Sequence, residues 1–352
     1  MKQRSLLVLL AFVMVLNFAA CKKENTPASE PTAATGGSVQ TEAPTENASV
    51  EGTTPSVSIT AEKKTETADS STRTGAADAE ASAGETPSAV QTPEKKTEEV
   101  PAVKEIRLNA QWTYADYSVI HTDAAKLYRT TAKVPKGKVI CINAGHGCKG
   151  GSAQFTLCHP DGSPKVTGGS TKAGAVKATS INEGTVLNDG TPEADATLAL
   201  ALQVKETLLA NGYDVLLVRE TKDAQLDNIA RTVIANNNAD CHISLHYDSS
   251  QNDKGLFFIG VPDIASYRNM EPVKSHFQEH TALGEALVEG ERAAGVKIYS
   301  NGRMNIDLTQ TSYSTVPSVD LEVGDRASDH SAAQLKIIAA GILVGLDLFF
   351  GN

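Results

Sequence analysis

Four polar side chains stand where apolar runs of this 352-residue chain come to an end. His146 lies in Ala144-Gly145-His146-Gly147, directly after the run KVICIN at 138–143. His246 closes DCHISLH at 240–246, and Glu322 closes PSVDLE at 317–322. Glu193 opens an amphipathic stretch behind Pro192. Short apolar runs bounded by turn residues read as buried strands, and layered α/β proteins bind ligands beyond the carboxyl ends of their strands. Two histidines and a carboxylate suit a catalytic zinc ion with one open position. A further carboxylate suits a general base acting on water. Taken singly, each group has a structural explanation: a strand histidine is commonly a hydrogen-bonded core residue, and a glutamate in a first helical turn offsets the helix dipole. Glu322 fits such an explanation least, because an unpaired carboxylate in an apolar strand is costly.

The elements that must position these groups alternate along the chain. Strands are expected over 138–143, 213–219, 240–246, 256–260 and 317–322. Helices are expected over 193–210, 226–235, 272–294 and 328–349. In the first helix Leu198, Ala201, Leu202, Lys205, Leu208 and Leu209 recur at helical spacing, and Asn211-Gly212 suits its C-terminal cap. The alternation predicts one α/β domain over 138–352 with a largely parallel sheet. Residues 148–192 are polar and rich in Gly, Ser and Thr, which is long for a loop and points to function or to a surface position. The 106–137 segment, with Trp112, Tyr114, Tyr117 and Tyr128, is a lead-in that reads either as an extra strand pair or as a small packed module.

Composition divides the rest. Residues 22–105 hold no Phe, Tyr, Trp, Leu, Met or Cys, and carry eight Lys and Arg against 15 Asp and Glu. Such a segment cannot offset the entropy of ordering, so 21–105 is expected to be a disordered tether. It accounts for −7 of the −10 net charge. An acidic chain excludes nucleic-acid binding through an overall basic field. Residues 1–20 read as a signal peptide, with Lys2 and Arg4 ahead of an apolar run too short to span a bilayer comfortably. Phe18-Ala19-Ala20-Cys21 resembles the lipobox of bacterial lipoproteins, which implies an acylated Cys21 as the membrane anchor, although Phe18 replaces the usual Leu. The chain is then expected outside the cytoplasmic membrane, as a monomer. Of the other cysteines, Cys148 and Cys158 are the first choice for a disulfide, and Cys141 and Cys241 read as buried thiols.

The order AGHG, PEAD, GYDVLLVRE, ARTVIANNNADCHISLHYDS and PSVDLEVG resembles the zinc-dependent N-acetylmuramoyl-L-alanine amidases of the amidase-3 family over about 138–350. The resemblance implies a twisted sheet with helices on both faces. It implies one zinc ion held by His146, Glu193 and His246, with Glu322 catalytic and Arg219 and Arg231 structural. It also implies peptidoglycan as substrate, cut between N-acetylmuramic acid and L-Ala. Asn143 matches the family's residue three before the first histidine. Cys148, Asp248 and Asp325 stand where the family usually has Gly, Asn and Phe, and the segment between His146 and Glu193 is longer than usual.

Three other readings compete. His276-Phe277-Gln278-Glu279-His280 fits the H-x-x-E-H pattern of another zinc peptidase class, with both histidines on one helical face; as a bare pattern it reads as a polar helix surface. A catalytically inactive domain that binds wall or a partner would not need all four polar groups. A hydrolase cutting within the stem peptide would differ only in its product. His242 shares a strand face with His246 and is a candidate to support it, whereas His121, His159 and His330 are expected at the surface.

Overall fold

The computed structural model describes residues 103–352, so the expected signal peptide, Cys21 and all but the last residues of the tether lie outside the described residues. Ten strands and six helices follow one another: β1 (Lys104–Arg107), β2 (Ala124–Tyr128), β3 (Val139–Ala144), β4 (Phe155–Leu157), β5 (Lys177–Thr179), α1 (Glu193–Ala210), β6 (Asp214–Leu217) and α2 (Asn228–Asn238). Then come β7 (Cys241–Asp248), β8 (Leu256–Gly260), α3 (Ala265–Arg268), α4 (Val273–Ala293), β9 (Ile298–Asn305), α5 (Thr309–Tyr313), β10 (Ser318–Asp325) and α6 (Ala332–Phe350). Eight strands form one sheet in the order β1-β2-β6-β3-β7-β10-β8-β9.

The central strands β6, β3, β7 and β10 are mutually parallel, as expected. Antiparallel pairings of β1, β2 and β8 make the whole sheet mixed. The 106–137 lead-in resolves as the strand pair: β1 and β2 extend the sheet beside β6, and β1 starts at Lys104, ahead of the expected boundary. The strand β9 and the short helix α5 carry no expectation from the sequence. The β9 run IYSNGRMN is largely polar, without the alternation that marks a half-buried strand.

Alternation of side chains sorts the central strands into two faces. One face, with Ile140, Ile142, Val215, Leu217, Ile243, Leu245, Val319 and Leu321, packs on α1, α4 and α6. The other, with Cys141, Leu216 and Val218, packs on α2. Helix α1 spans the expected residues, begins after Pro192 and ends with Gly212 at φ +91°. Its buried stripe is Ala196, Leu200, Ala201, Val204 and Leu208, whereas Leu198, Leu202 and Leu209 pack only partly. Lys205 lies over the Tyr128 ring with its ammonium beside Glu220. Helix α6 is long and apolar enough to cross a membrane by length and composition. Here it is a core helix, approaching α4 so closely that a Cβ on Gly290 would strike the backbone of Gly341 and Gly345.

The same helix pair buries Glu291, whose two carboxylate oxygens have no partner among the described residues. Burial pushes its pKa well above the usual carboxylate range. A folded-state pKa above the unfolded one means that the neutral group's contribution is intact below about pH 4 and is lost as pH rises toward the folded value. Glu291→Gln removes that loss. Relative to the native chain it is expected to gain up to about 1.4 kcal/mol per pH unit over this window. Urea unfolding midpoints at about pH 5 and about pH 8 measure the gain, and an equal difference at both would show that the carboxyl is not held neutral.

Candidate metal centre

The loop leaving β3 sets the first candidate ligand. His146 has φ +62°, a left-handed conformation that costs a residue with a Cβ roughly 1–2 kcal/mol. Two buried arginines collect the carbonyls that this loop turns inward. Arg231 donates to Ala144 O at 3.1 Å, to His146 O at 2.7 Å and to Asn143 Oδ1 at 3.1 Å. Arg219 donates to Ala144 O at 3.1 Å and Gly145 O at 2.8 Å, and also to Ala194 O at 2.6 Å in the first turn of α1. The structural role expected of both residues thus has a definite content: Arg219 ties the segment carrying His146 to the helix carrying Glu193. Gly145 leaves room for the His246 ring, which a Cβ there would strike.

Three donor atoms converge. His146 Nε2 lies 2.7 Å from Glu193 Oε1, His246 Nδ1 lies 3.0 Å from the same oxygen, and the two imidazole nitrogens are 3.0 Å apart. Among the described residues this is the one group of three ligand-type side chains whose donor atoms all lie within 4.8 Å. His146 Nδ1 stands 2.9 Å from Asn182 O, which as an acceptor places the proton on Nδ1 and leaves the Nε2 lone pair for a ligand. Glu193 accepts Tyr247 N–H at 3.1 Å and Thr185 N–H at 2.8 Å. Burial alone would raise its pKa, but the two histidines beside it outweigh this and hold it well below the usual range. Burial would likewise lower His246, yet Asp320 first and then Glu193 push it up to about 10. The field at this point favours positive charge. Two imidazoles and one carboxylate are the borderline-soft and hard donors that zinc accepts, so the residues fit that ion.

Glu322 pairs with His246 in the β7–β10 register and faces the same cleft, a cavity of about 620 Å³. Among the described residues its buried Oε2 has no hydrogen-bond partner, and burial followed by the neighbouring Asp320 charge moves its pKa well above the usual range. Lys165 and Gly169 to Thr171, from the long 148–192 segment, also line the cleft. That segment is pinned by Asp307, which accepts Val166 N at 2.6 Å and Thr167 N at 3.1 Å and pairs with Lys165 at 3.1 Å and His159 Nε2 at 3.1 Å. The four residues expected from the sequence therefore share one cleft. Sequence reasoning missed Asn182 and Thr185, which act through backbone atoms that no side chain announces. It also missed Asp320, which strand alternation from Glu322 places on the same face.

Other expectations are corrected. His159 is not at the surface but is buried against Asp307 and Tyr267. His276 and Glu279 face outward, whereas His280 turns into the core and accepts Ser318 N–H at 3.0 Å, so the H-x-x-E-H residues do not converge. His242 is fully buried, its ring nitrogens have no partner among the described residues, and it makes no hydrogen bond to His246. Cys141, Cys148, Cys158 and Cys241 are all buried free thiols, and Cys148 and Cys158 do not form the expected disulfide. Cys148 packs near Gly151 and Arg231, while Cys158 sits near Lys165 and Asp307. Asp248 pairs with Lys254 at 2.5 Å, and Asp325 accepts Lys254 N at 2.6 Å and Ala327 N at 3.0 Å. Both aspartates brace the turns beside the cleft.

A family model described as N-acetylmuramoyl-L-alanine amidase matches residues 140–343, and the chain belongs to that family. The N-acetylmuramyl-L-alanine amidase of Mycobacterium smegmatis is similar at 18% identity over 62% of this chain and 99% of that one, with a TM-score of 0.51, which shows the shared fold. An apo amidase from Mycobacterium abscessus is similar at 19% identity over 61% and 99%, with a TM-score of 0.49. No curated protein matches the chain.

Replacing Arg231 by Met strands the Asn143, His146 and Leu226 oxygens that it serves and leaves Ala144 O to Arg219 alone. Unmatched buried groups of this kind cost about 3 kcal/mol or more. His276→Ala, at an outward-facing site, is expected to cost less than about 0.5 kcal/mol. Chemical denaturation of the two variants checks the contrast.

Proposed function

We propose that the chain is a zinc-dependent peptidoglycan amidase that hydrolyses the amide between the lactyl group of N-acetylmuramic acid and L-Ala of the stem peptide. The observation that carries the zinc reading is the convergence of His146 Nε2, Glu193 Oε1 and His246 Nδ1 in the cleft that Glu322 also lines. The amide hydrolase class follows from the family to which residues 140–343 belong. His146, Glu193 and His246 would hold the ion, each already oriented by hydrogen bonds or by its neighbours in the cluster. Zinc supplies Lewis acidity, which polarises a carbonyl and makes water a better nucleophile near neutral pH.

The chain's own groups do the rest. Glu322 takes the proton of the attacking water, whose oxygen bonds to the lactyl carbonyl carbon. As the C–N bond breaks, Glu322 returns that proton to the L-Ala nitrogen, giving a free lactyl carboxyl and a free peptide amine. Lys165 and residues 169–171, which line the same cleft, would contact the substrate. The wall substrate agrees with the signal-like residues 1–20. Cys21 is the proposed acylation site, and the acidic segment between it and β1 the proposed tether between lipid and enzyme.

Metal analysis of the full chain is expected to find one zinc per molecule, lost in His146→Ala and in Glu193→Ala. Glu322→Gln is expected to keep zinc and to lose at least about 100-fold in kcat, as general acid–base groups contribute. Mass analysis of digested peptidoglycan should show stem peptides with a free N-terminal L-Ala and intact glycan. Products cut inside the peptide, or hydrolysis untouched by His146→Ala, would overturn the assignment.

A further inference from the structure

Asp320 has no part in the mechanism above, yet it lies within the same cleft. It stands two positions before Glu322 on β10, opposite Ser244 of β7 and Ile259 of β8. Its side chain is 14% exposed, and its Oδ1 is buried without a hydrogen-bond partner among the described residues. Its Oδ2 is 3.9 Å from His246 Nε2. The other ring nitrogen, Nδ1, is the one that meets His146 and Glu193. The ring thus turns one nitrogen to the converging donors and the other to Asp320.

A neutral imidazole has one lone pair and one N–H. To offer the lone pair at Nδ1, His246 must carry its proton on Nε2, so an acceptor beside Nε2 decides whether the ring is competent. His146 already shows such an arrangement with the nitrogens exchanged: Nδ1 faces Asn182 O at 2.9 Å, and Nε2 faces the cluster. His246 has no backbone acceptor in that position.

We propose that Asp320 is the positioning residue of His246, its carboxylate accepting Nε2–H and thereby holding the Nδ1 lone pair toward the metal. The inference rests on the zinc reading above. The 3.9 Å separation exceeds a direct hydrogen bond by about 1 Å, a gap that rotation of the carboxylate closes. Asp320 does not itself join the converging donors. The two acidic groups of β10 therefore divide their work: Asp320 serves the ligand and Glu322 serves the substrate.

The test is zinc competition against a chromogenic chelator in the full chain, comparing native protein with Asp320→Leu and Asp320→Asn. Leu removes the acceptor while keeping bulk, and a loss of roughly 10–100-fold in zinc affinity is expected. Asn keeps an acceptor oxygen, so it should recover most of that loss. NMR of nitrogen-labelled histidines in the zinc-loaded protein reads the tautomer, with Nε2–H expected at His246 in the native and Asn forms. Asp320→Ala replaces the Leu variant if the latter does not fold. Zinc affinity of the Leu or Ala form within about two-fold of native, or an Asn form as weak as the Leu form, overturns the proposal and leaves the zinc reading standing. A folded native chain that takes up no zinc overturns both.

Discussion

A carboxylate removed from water must be met by donors or by positive charge, and Glu193 is where this chain meets that demand. Its two oxygens are engaged by the backbone of β7, by the backbone of the 182–185 segment and by two imidazoles. Three pieces of chain, far apart in sequence, must be in place before this buried acid is tolerable. The arrangement of the cleft follows from that requirement. The β3 loop supplies one ring, β7 supplies the other together with an amide, and the long insertion supplies the last N–H. A glycine closes the assembly where a side chain could not fit, since a Cβ on Gly184 would strike His146 and Glu193.

The arginines solve the complementary problem. A loop that turns its carbonyls inward, with a histidine in the left-handed region, needs a concentrated source of donors. Arg231 and Arg219 provide it with planar guanidinium groups, each satisfying several oxygens at once. From Asn143 the network continues through Ser244 to Gln310, and Gln310 donates to Ser318 Oγ and Val319 O of β10. A chain of buried hydrogen bonds thus crosses the sheet from the helix behind the His146 loop to the strand that carries Glu322.

The parts of this plan that the sequence revealed are those governed by local periodicity. Helix α1 and strand β8 match their expected bounds, and the central parallel strands follow from their apolar runs. The three convergent side chains were legible because strand ends and a helix start bring side chains to one edge. The losses have equally definite causes. The β9 pairing is made by backbone along a polar run, so it leaves no pattern. His159 is buried by a partner 148 positions away, and neither sequence neighbourhood hints at the other. A strand position decided Asp320, but its importance depends on which way the His246 ring is turned, and only coordinates show that.

Asp307 gives the cleft a mechanical property. It anchors the 165–167 segment, and Gln310, three positions further along the same short connection, is bonded to β10. Lys165, which lines the cleft, and the strand that carries Glu322 are therefore fastened to one short strut, and their spacing is held by hydrogen bonds instead of being left to a free loop.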